Sequence, residues 1–355
     1  MVKTSLDDPQ IFKRYDPQGM LGHLHNMPRL CQEAWQQAIS FNLPRDYATV
    51  DKVVILGMGG SAIGGDLVAS LALSEARLPI LIRRDYELAG FTDDQTLVIA
   101  SSYSGNTEET LAAFKQSLKT GAKKLVITSG GKLKNLAQEA GVPIFSFDYQ
   151  APPRAALPYS LMPILCFLQS LGFIGNKSED VNETVAVLKQ LSAQIDETVA
   201  ESKNPAKELA KRLYNRLVVI YGAGVTAEVA HRWKTQINEN SKAWAFYEVF
   251  PELNHNAIVG YQFPEELAAS IMVVLLRSTL LPERIQLRYQ ITSQLLEKAG
   301  VNYQMVDGNG ECPLSQLMSL VLFGDYVSYY LALLYRTNPS LVKAIDFLKG
   351  KLANE

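Results

Sequence analysis

Short apolar, β-branched runs alternate with amphipathic segments along most of this chain. From residue 53 onward five such runs follow one another: VVIL, LPILI, TLVIA, KLVIT and VPIFSF. Segments with helical periodicity separate them, for example over 66–75 and 108–118. Parallel strands need a crossover of a dozen or more residues, which is usually a helix. The alternation therefore predicts an α/β fold in which a parallel sheet is flanked by helices.

A second cycle of the same kind begins near residue 214. The stretch RLVVIYGAGVTA superposes on DKVVILGMGGSA at an offset of 165 residues, with six identical positions. The identical pairs are Val53/Val218, Val54/Val219, Ile55/Ile220, Gly57/Gly222, Gly59/Gly224 and Ala62/Ala227. Any two strand-to-helix turns resemble each other, but six matches in one short window favour an internal duplication. Further strands at AWAFYEVF, LAASIMVVLL and NYQMV complete a second predicted sheet.

These patterns predict four consecutive segments. Residues 1–48 form a helical arm, and residues 49–155 form the first α/β domain. Residues 156–213 form a helical connection, and residues 214–355 form the second α/β domain with C-terminal helices. A chain of 355 residues is long enough for two hydrophobic cores, which agrees with two sheet domains.

Composition and charge narrow the possible functions. Apolar residues make up 47% of the chain and charged residues 20%, which is typical of an ordered globular protein. A net charge of −2 provides no basic surface for nucleic acid or anionic lipid, so neither is expected as a partner. The three cysteines are too few and too scattered for a disulfide framework or a cysteine zinc site, which favours a reducing, cytoplasmic location.

One segment, 317–335, is apolar and long enough to suggest a membrane span. It contains Asp325, and an unpaired carboxylate at mid-bilayer is costly. We therefore predict a buried core helix and no membrane span. The N-terminal sequence MVKTSLDDPQIFKRY also lacks the basic-then-apolar order of a signal peptide.

A glycine-rich loop, GMGGSAIGG, follows the first predicted strand. Gly57, Gly59 and Ala62 fit a loose dinucleotide-binding pattern, which expects an acidic residue about 20 positions later. The second strand instead ends in Arg83 and Arg84, which would suit only a 2′-phosphate. An NADP-dependent oxidoreductase is therefore the weaker interpretation, and it leaves the next loop unexplained.

A serine-rich loop, ASSYSGNTEETL, follows the third predicted strand. It brings Ser102, Ser104 and Thr107 to the start of a predicted helix, and Gly105 permits close approach of the backbone. The free N–H groups and aligned peptide dipoles at a helix start attract anions. The lysine of nucleoside triphosphate loops is missing here. We therefore interpret the loop as a binding site for a single terminal phosphate group.

The alternative explanation of this loop is helix capping. Asn106 and Glu109 have the spacing of a capping box. A cap needs one hydroxyl or amide, whereas this loop carries several hydroxyls, so phosphate binding is favoured.

Five motifs occur in order along almost the whole chain: GMGGSAIGGD, SSYSGNTEETL, PPRAALPY, QINENSKAWAFYEVFPELNHNAIVG and AIDFLKGKL. Together they resemble the bifunctional phosphoglucose/phosphomannose isomerase family, which is built from two sugar isomerase (SIS) domains. The resemblance implies two flavodoxin-like domains, each with a parallel sheet flanked by helices. It implies an aldose–ketose isomerase of glycolysis and gluconeogenesis, which interconverts glucose 6-phosphate and mannose 6-phosphate with fructose 6-phosphate through a cis-enediol. No metal and no redox cofactor is implied.

The resemblance also implies roles for single residues in catalysis. Glu239 is similar to the base that moves a proton between C1 and C2. Arg154 resembles the arginine that stabilises the enediolate. His255 is similar to the ring-opening histidine, which in this family comes from the neighbouring subunit, so a homodimer is implied.

Lys349 resembles the lysine that acts with this histidine on ring opening. Lys343 and Lys351 lie close in sequence, so they are alternatives for the same role.

The two loops of the first half would bind the substrate. The glycine loop would contact the sugar hydroxyls, and the serine loop would bind the phosphate. The residues implied are Gly59, Gly60, Ser61, Ser102, Ser104 and Thr107.

One departure from the family concerns the sugar. Members that also accept mannose 6-phosphate tend to have Thr-Pro shortly before the C-terminal lysine, where this chain has Ser340 and Leu341. Glucose 6-phosphate is therefore the more strongly implied aldose.

Two further alternatives are a non-catalytic sugar-phosphate regulator and an amidotransferase-type isomerase of glucosamine 6-phosphate. A regulator that only binds a sugar phosphate would not need the three implied catalytic residues Glu239, His255 and Lys349. The amidotransferase type would need an N-terminal cysteine nucleophile, which the sequence lacks.

Overall fold

The computed structural model describes residues 5–352, which form thirteen α-helices and nine β-strands. The helices are α1 Pro9–Tyr15, α2 Met20–Ile39, α3 Gly59–Ala72, α4 Glu108–Ser117, α5 Gly131–Glu139, α6 Leu157–Ser170, α7 Ser178–Ile195, α8 Pro205–Leu213, α9 Ala227–Ser241, α10 Glu265–Ala268, α11 Glu283–Lys298, α12 Pro313–Leu334 and α13 Lys343–Leu352. The strands are β1 Lys52–Leu56, β2 Ile80–Arg83, β3 Thr96–Ser101, β4 Lys123–Thr128, β5 Ile144–Ser146, β6 Leu217–Ala223, β7 Ala245–Phe250, β8 Ile271–Arg277 and β9 Asn302–Asp307.

Contacts group the chain into two compact units. The first-sheet unit consists of Asn26–Ala186 and Cys312–Ser315. The second-sheet unit consists of the described residues up to His25, of Val187–Glu311, and of the described residues from Gln316 onward. Because these units are defined by contacts and join distant parts of the chain, the boundaries at 48, 155 and 213 stay predictions.

The first-sheet unit contains five parallel strands in the order β2-β1-β3-β4-β5. This is the strand order of the flavodoxin-like doubly wound fold. All six residues of the central strand β3 are buried, as are the last four of β1. Strands covered on both faces need continuous apolar runs, which explains why VVIL and TLVIA show no polar alternation. The predicted flavodoxin-like sheet is confirmed.

The second-sheet unit contains four parallel strands in the order β7-β6-β8-β9. This is the same order without a fifth strand, so β6 occupies the position that β1 has in the first sheet. The turns after the two strands also agree, because Gly59 and Gly224 have positive φ angles of 49° and 51°. Equal topology and equal turn geometry at the 165-residue offset support the predicted duplication.

The long apolar helix α12 belongs mainly to the second-sheet unit. It is long and apolar enough to cross a membrane, but 94% of its most apolar stretch is buried in the structure. Asp325 in this helix accepts hydrogen bonds from Arg232 Nη2 at 2.7 Å and from Gln236 Nε2 at 2.8 Å. The carboxylate is 2% exposed and is compensated by a buried guanidinium, which fits the predicted core helix.

We expect Asp325→Ala to destabilise the second-sheet unit strongly. Removing one partner of a buried ion pair leaves an unpaired buried charge, which costs about 3–5 kcal/mol. The matched control is Asp307→Ala, which breaks the more exposed Arg277–Asp307 pair and should cost less than about 1 kcal/mol. Urea unfolding measures both changes, and equal losses in the two variants would contradict the assigned pairing.

Candidate functional site

The serine loop connects β3 to α4 in the first-sheet unit. Ser102 Oγ and Thr107 Oγ1 lie 3.0 Å apart, and Ser104 is exposed between them in sequence. Gly105 N–H donates to Ser102 O at 3.1 Å, which closes the loop. The structure therefore brings the three predicted phosphate ligands together in one loop at the start of a helix.

The capping-box explanation of this loop is wrong. Thr107 is the N-cap residue of α4, yet its side chain makes no capping hydrogen bond. The Asn106 carboxamide donates to Ser104 O at 3.1 Å and accepts the Lys132 N–H at 3.1 Å, so it stabilises the loop instead. The first N–H groups of a helix have no intrahelical partners, so the start of α4 remains suited to an anion.

Two glycines fix the shape of the serine loop. Gly105 has φ +63°, and a Cβ atom there would lie 1.8 Å from Gly130 O. Gly131 has φ +73°, and a Cβ atom there would lie 2.2 Å from Ser104 O. The serine loop and the loop before α5 are therefore interlocked through backbone that only glycine permits.

The glycine loop lies against the segment that carries Arg154. A Cβ atom on Gly60 would lie 3.0 Å from Pro153 O and 3.1 Å from Arg154 Cα. Arg154 is buried within the short 3-10 helix Pro153–Ala156. Ser61 Oγ accepts the backbone N–H of Tyr103 at 3.0 Å, which joins the glycine loop to the serine loop. The structure thus places Gly60 against the Arg154 segment and Ser61 against the serine loop.

Glu239 lies in the last turn of α9, in the second-sheet unit. Its half-buried side chain lines a cavity of about 910 Å³ together with Trp244, Phe246 and Lys343. Lys242 ends the helix in the left-handed conformation, and its Nζ donates to Glu239 O at 2.6 Å and to Asn338 O at 2.7 Å. The ammonium group therefore fixes the helix end on which the predicted base is carried.

The candidate lysines lie on α13. Lys343 lines the same cavity as Glu239. Lys349 has an exposed side chain in the last turn of α13 and is not part of the cavity lining, and Lys351 Nζ lies over the Phe347 ring at 5.8 Å. The assignment of Lys349 stays a prediction, and of the three candidate lysines Lys343 is the one that lines the same cavity as Glu239.

His255 lies beyond the carboxyl end of β7, in the 3-10 helix Glu252–His255, and is exposed. Glu239 precedes the amino end of the same strand. Six strand residues separate the two ends, which corresponds to about 20 Å. The structure therefore does not bring Glu239 and His255 of one chain together.

The two asparagines beside His255 have structural roles. Asn254 Nδ2 donates to Thr292 Oγ1 at 2.9 Å, and Asn256 Nδ2 donates to Glu252 Oε1 at 3.0 Å. These amides therefore hold the segment that presents the imidazole.

Gln316, which the sequence did not indicate as a functional residue, fills the loop after β8. Its Oε1 accepts Ser278 Oγ at 2.7 Å and Thr279 N–H at 3.0 Å, and its Nε2 donates to Thr279 Oγ1 at 2.7 Å. This loop corresponds in topology to the serine loop of the first sheet. The Gln316 side chain thus satisfies the polar groups that an anion would otherwise contact.

A family model and two relatives that match this chain are all described as phosphoglucose isomerases. Residues 202–352 match the family described as bacterial phospho-glucose isomerase C-terminal SIS domain. The bifunctional phosphoglucose/phosphomannose isomerase of Caldicellulosiruptor bescii is 43% identical, over 94% of this chain and 99% of that protein. The protein of the same name from Aquifex aeolicus is 36% identical, over 88% of this chain and 93% of that protein.

The chain belongs to the bifunctional phosphoglucose/phosphomannose isomerase family. A solved structure of a hypothetical protein from Thermus thermophilus has the same fold, with a TM-score of 0.75 and 15% identity over 97% of this chain and 92% of that one. The family, the fold class and the assignment as an isomerase that the motifs imply are confirmed. The non-catalytic alternative finds no support among these relatives.

We expect Gly105→Ala to destroy the serine loop, because its methyl group would overlap Gly130 O. The matched control is Gly141→Ala, since Gly141 has φ +64° but open space around its Cβ position. In both variants the new alanine must adopt a left-handed backbone conformation, which costs about 1–2 kcal/mol. Only Gly105→Ala should lose binding of fructose 6-phosphate in titration calorimetry. Retained binding in Gly105→Ala would show that the interlock is not needed.

Proposed function

We propose that this chain interconverts glucose 6-phosphate, and mannose 6-phosphate as a second aldose, with fructose 6-phosphate. The observation that carries the proposal is the 43% identity, over 94% of this chain, to a relative whose name states both activities. Glu239, His255, Arg154 and the serine loop are all present in their motifs. The Ser340-Leu341 pair makes glucose 6-phosphate the preferred aldose.

The phosphate binds at the start of α4. Ser104 and one hydroxyl of the hydrogen-bonded Ser102–Thr107 pair donate hydrogen bonds to its oxygens, and the first N–H groups of α4 direct the positive end of the helix dipole toward it. The interlocked glycines support this role, because a preformed loop loses little conformational entropy on binding. The sugar hydroxyls then lie against the glycine loop, at Gly59, Gly60 and Ser61.

Glu239 transfers the proton. Its carboxylate takes the C2 proton of the open-chain aldose, the C–H electron pair forms the C1=C2 bond, and the carbonyl electrons move to the C1 oxygen. The C1 oxygen then carries the negative charge of an enediolate and takes over the proton that the C2 hydroxyl loses. Return of the abstracted proton to C1 then gives the ketose. Arg154 stabilises the negative charge of the enediolate, and removing such a fixed donor typically costs about 3 kcal/mol of barrier.

His255 and a C-terminal lysine open the sugar ring, and His255 comes from the second subunit of a homodimer. The separation of about 20 Å along β7 supports this arrangement, because His255 of the same chain is too far from Glu239. The segment after His255 also exposes Val259 and Phe263, at 72% and 74%. Apolar side chains this exposed fit a surface that a second copy covers.

We also propose a cytoplasmic location and a role in glycolysis and gluconeogenesis. The free state of the cysteine thiols agrees with that location. Among the described residues the cysteines Cys31, Cys166 and Cys312 are free. Burial raises the pKa of the Cys31 thiol to about 12, so it stays protonated and unreactive.

The direct test offers fructose 6-phosphate to metal-free protein and identifies the aldose by chromatography. We expect glucose 6-phosphate as the main product. Glu239→Gln should lower kcat by about 10²–10⁴-fold, because the amide cannot accept the proton, while substrate binding persists. The control is Glu208→Gln, an exposed carboxylate on α8 of the same unit. Equal, negligible turnover in wild type and Glu239→Gln would point instead to a sugar-phosphate regulator.

Subunit mixing tests the origin of His255. Glu239→Gln and His255→Asn homodimers are each expected to be inactive, but a mixed dimer would contain one complete site. Because half of the dimers in an equilibrated mixture are mixed, activity should recover to about a quarter of wild type. Mixing His255→Asn with the double variant is the control and should recover nothing. No recovery in the first mixture would mean that both groups come from one chain.

A further inference from the structure

Tyr103 lies within the serine loop and is hydrogen-bonded to the segment that leads to Arg154. Its phenol donates to Tyr149 O at 2.7 Å and accepts the Ala151 N–H at 2.9 Å. The phenol oxygen therefore hydrogen-bonds both a carbonyl and an N–H of the segment 149–151. The stretch ends three residues later at Arg154.

The backbone of Tyr103 bonds two further loops. Its N–H donates to Ser61 Oγ at 3.0 Å. Its carbonyl accepts the Ser129 N–H at 3.1 Å and the Ser129 hydroxyl at 2.7 Å. Ser61, Ser129 and the Arg154 segment thus all meet at one residue of the phosphate-binding loop.

The aromatic surroundings hold this residue in place. The Tyr103 ring lies 6.1 Å from Phe147, which stacks on Tyr159 at 4.5 Å. Burial raises the pKa of Tyr149, whose ring lies 5.8 Å from Tyr159, to about 12, so the Tyr149 phenol remains neutral. The phenol of Tyr103 is therefore a fixed link between the serine loop and the arginine segment.

We propose that Tyr103 is a positioning residue, which holds Arg154 in register with the phosphate-binding loop. This inference rests on the proposed function. Tyr103→Phe removes the two phenol bonds but keeps the backbone bonds to Ser61 and Ser129. The serine loop therefore keeps its shape, while the Arg154 segment loses its link to it. Because Arg154 acts on charge that develops in the transition state, the loss appears in kcat and not in KM.

The test is a double-mutant cycle of Tyr103→Phe and Arg154→Ala, measured with fructose 6-phosphate. We expect Tyr103→Phe to lower kcat about tenfold and to change KM less than about twofold. In the Arg154→Ala background the same change should have no further effect, because its target is gone. Tyr214→Phe, at a tyrosine on the surface of the second-sheet unit, is the control and should be neutral.

Ala151→Pro is a second variant, which removes the N–H that the phenol accepts and also fixes the backbone of residue 151, and it should reproduce the kcat loss. Independent, multiplicative effects of Tyr103→Phe and Arg154→Ala would overturn the inference, as would a change confined to KM. If wild type itself fails to isomerise fructose 6-phosphate, the proposed function fails. If wild type is active and Tyr103→Phe matches it, only the positioning role fails.

Discussion

The start of helix α4 is the feature on which this account depends. A helix start carries N–H groups without intrahelical partners, and here neither Thr107 nor Asn106 caps them. Three hydroxyls surround that start, and two interlocked glycines hold the loop in shape. We propose that this site binds a phosphate group through hydrogen bonds and the helix dipole, without a lysine. The phosphate then fixes where the rest of a small sugar can lie.

The two sheets have the same strand order apart from the fifth strand of the first, as the predicted duplication implies, but the loops that correspond in them differ. In the first sheet the loop after the third strand presents a group of hydroxyls at a helix start. In the second sheet the corresponding loop is closed by Gln316, whose side chain bonds Ser278 and Thr279. The polar groups of that loop are thus bonded by an internal amide. The second half supplies instead a helix end, fixed by Lys242, that carries the proposed base Glu239.

Local patterns predicted the sheets well, because buried parallel strands require continuous apolar runs that are visible in sequence. They failed where long-range contacts decide. The capping box at Asn106, which was the disfavoured alternative for the serine loop, does not form because the Asn106 amide bonds the α5 loop instead. Gln316 was missed because it lies 38 residues from Ser278. The lysine register on α13 and the position of His255 at the far end of β7 also depend on tertiary placement, which spacing alone does not encode.

A crystal structure with fructose 6-phosphate tests the central claim most directly. The account predicts phosphate oxygens within about 2.7–3.2 Å of the Ser104 and Thr107 hydroxyls, and the Glu239 carboxylate beside C1 and C2 of the same ligand. A ligand whose phosphate lies away from the start of α4, or whose C1 and C2 are out of reach of every Glu239 in the assembly, would contradict it.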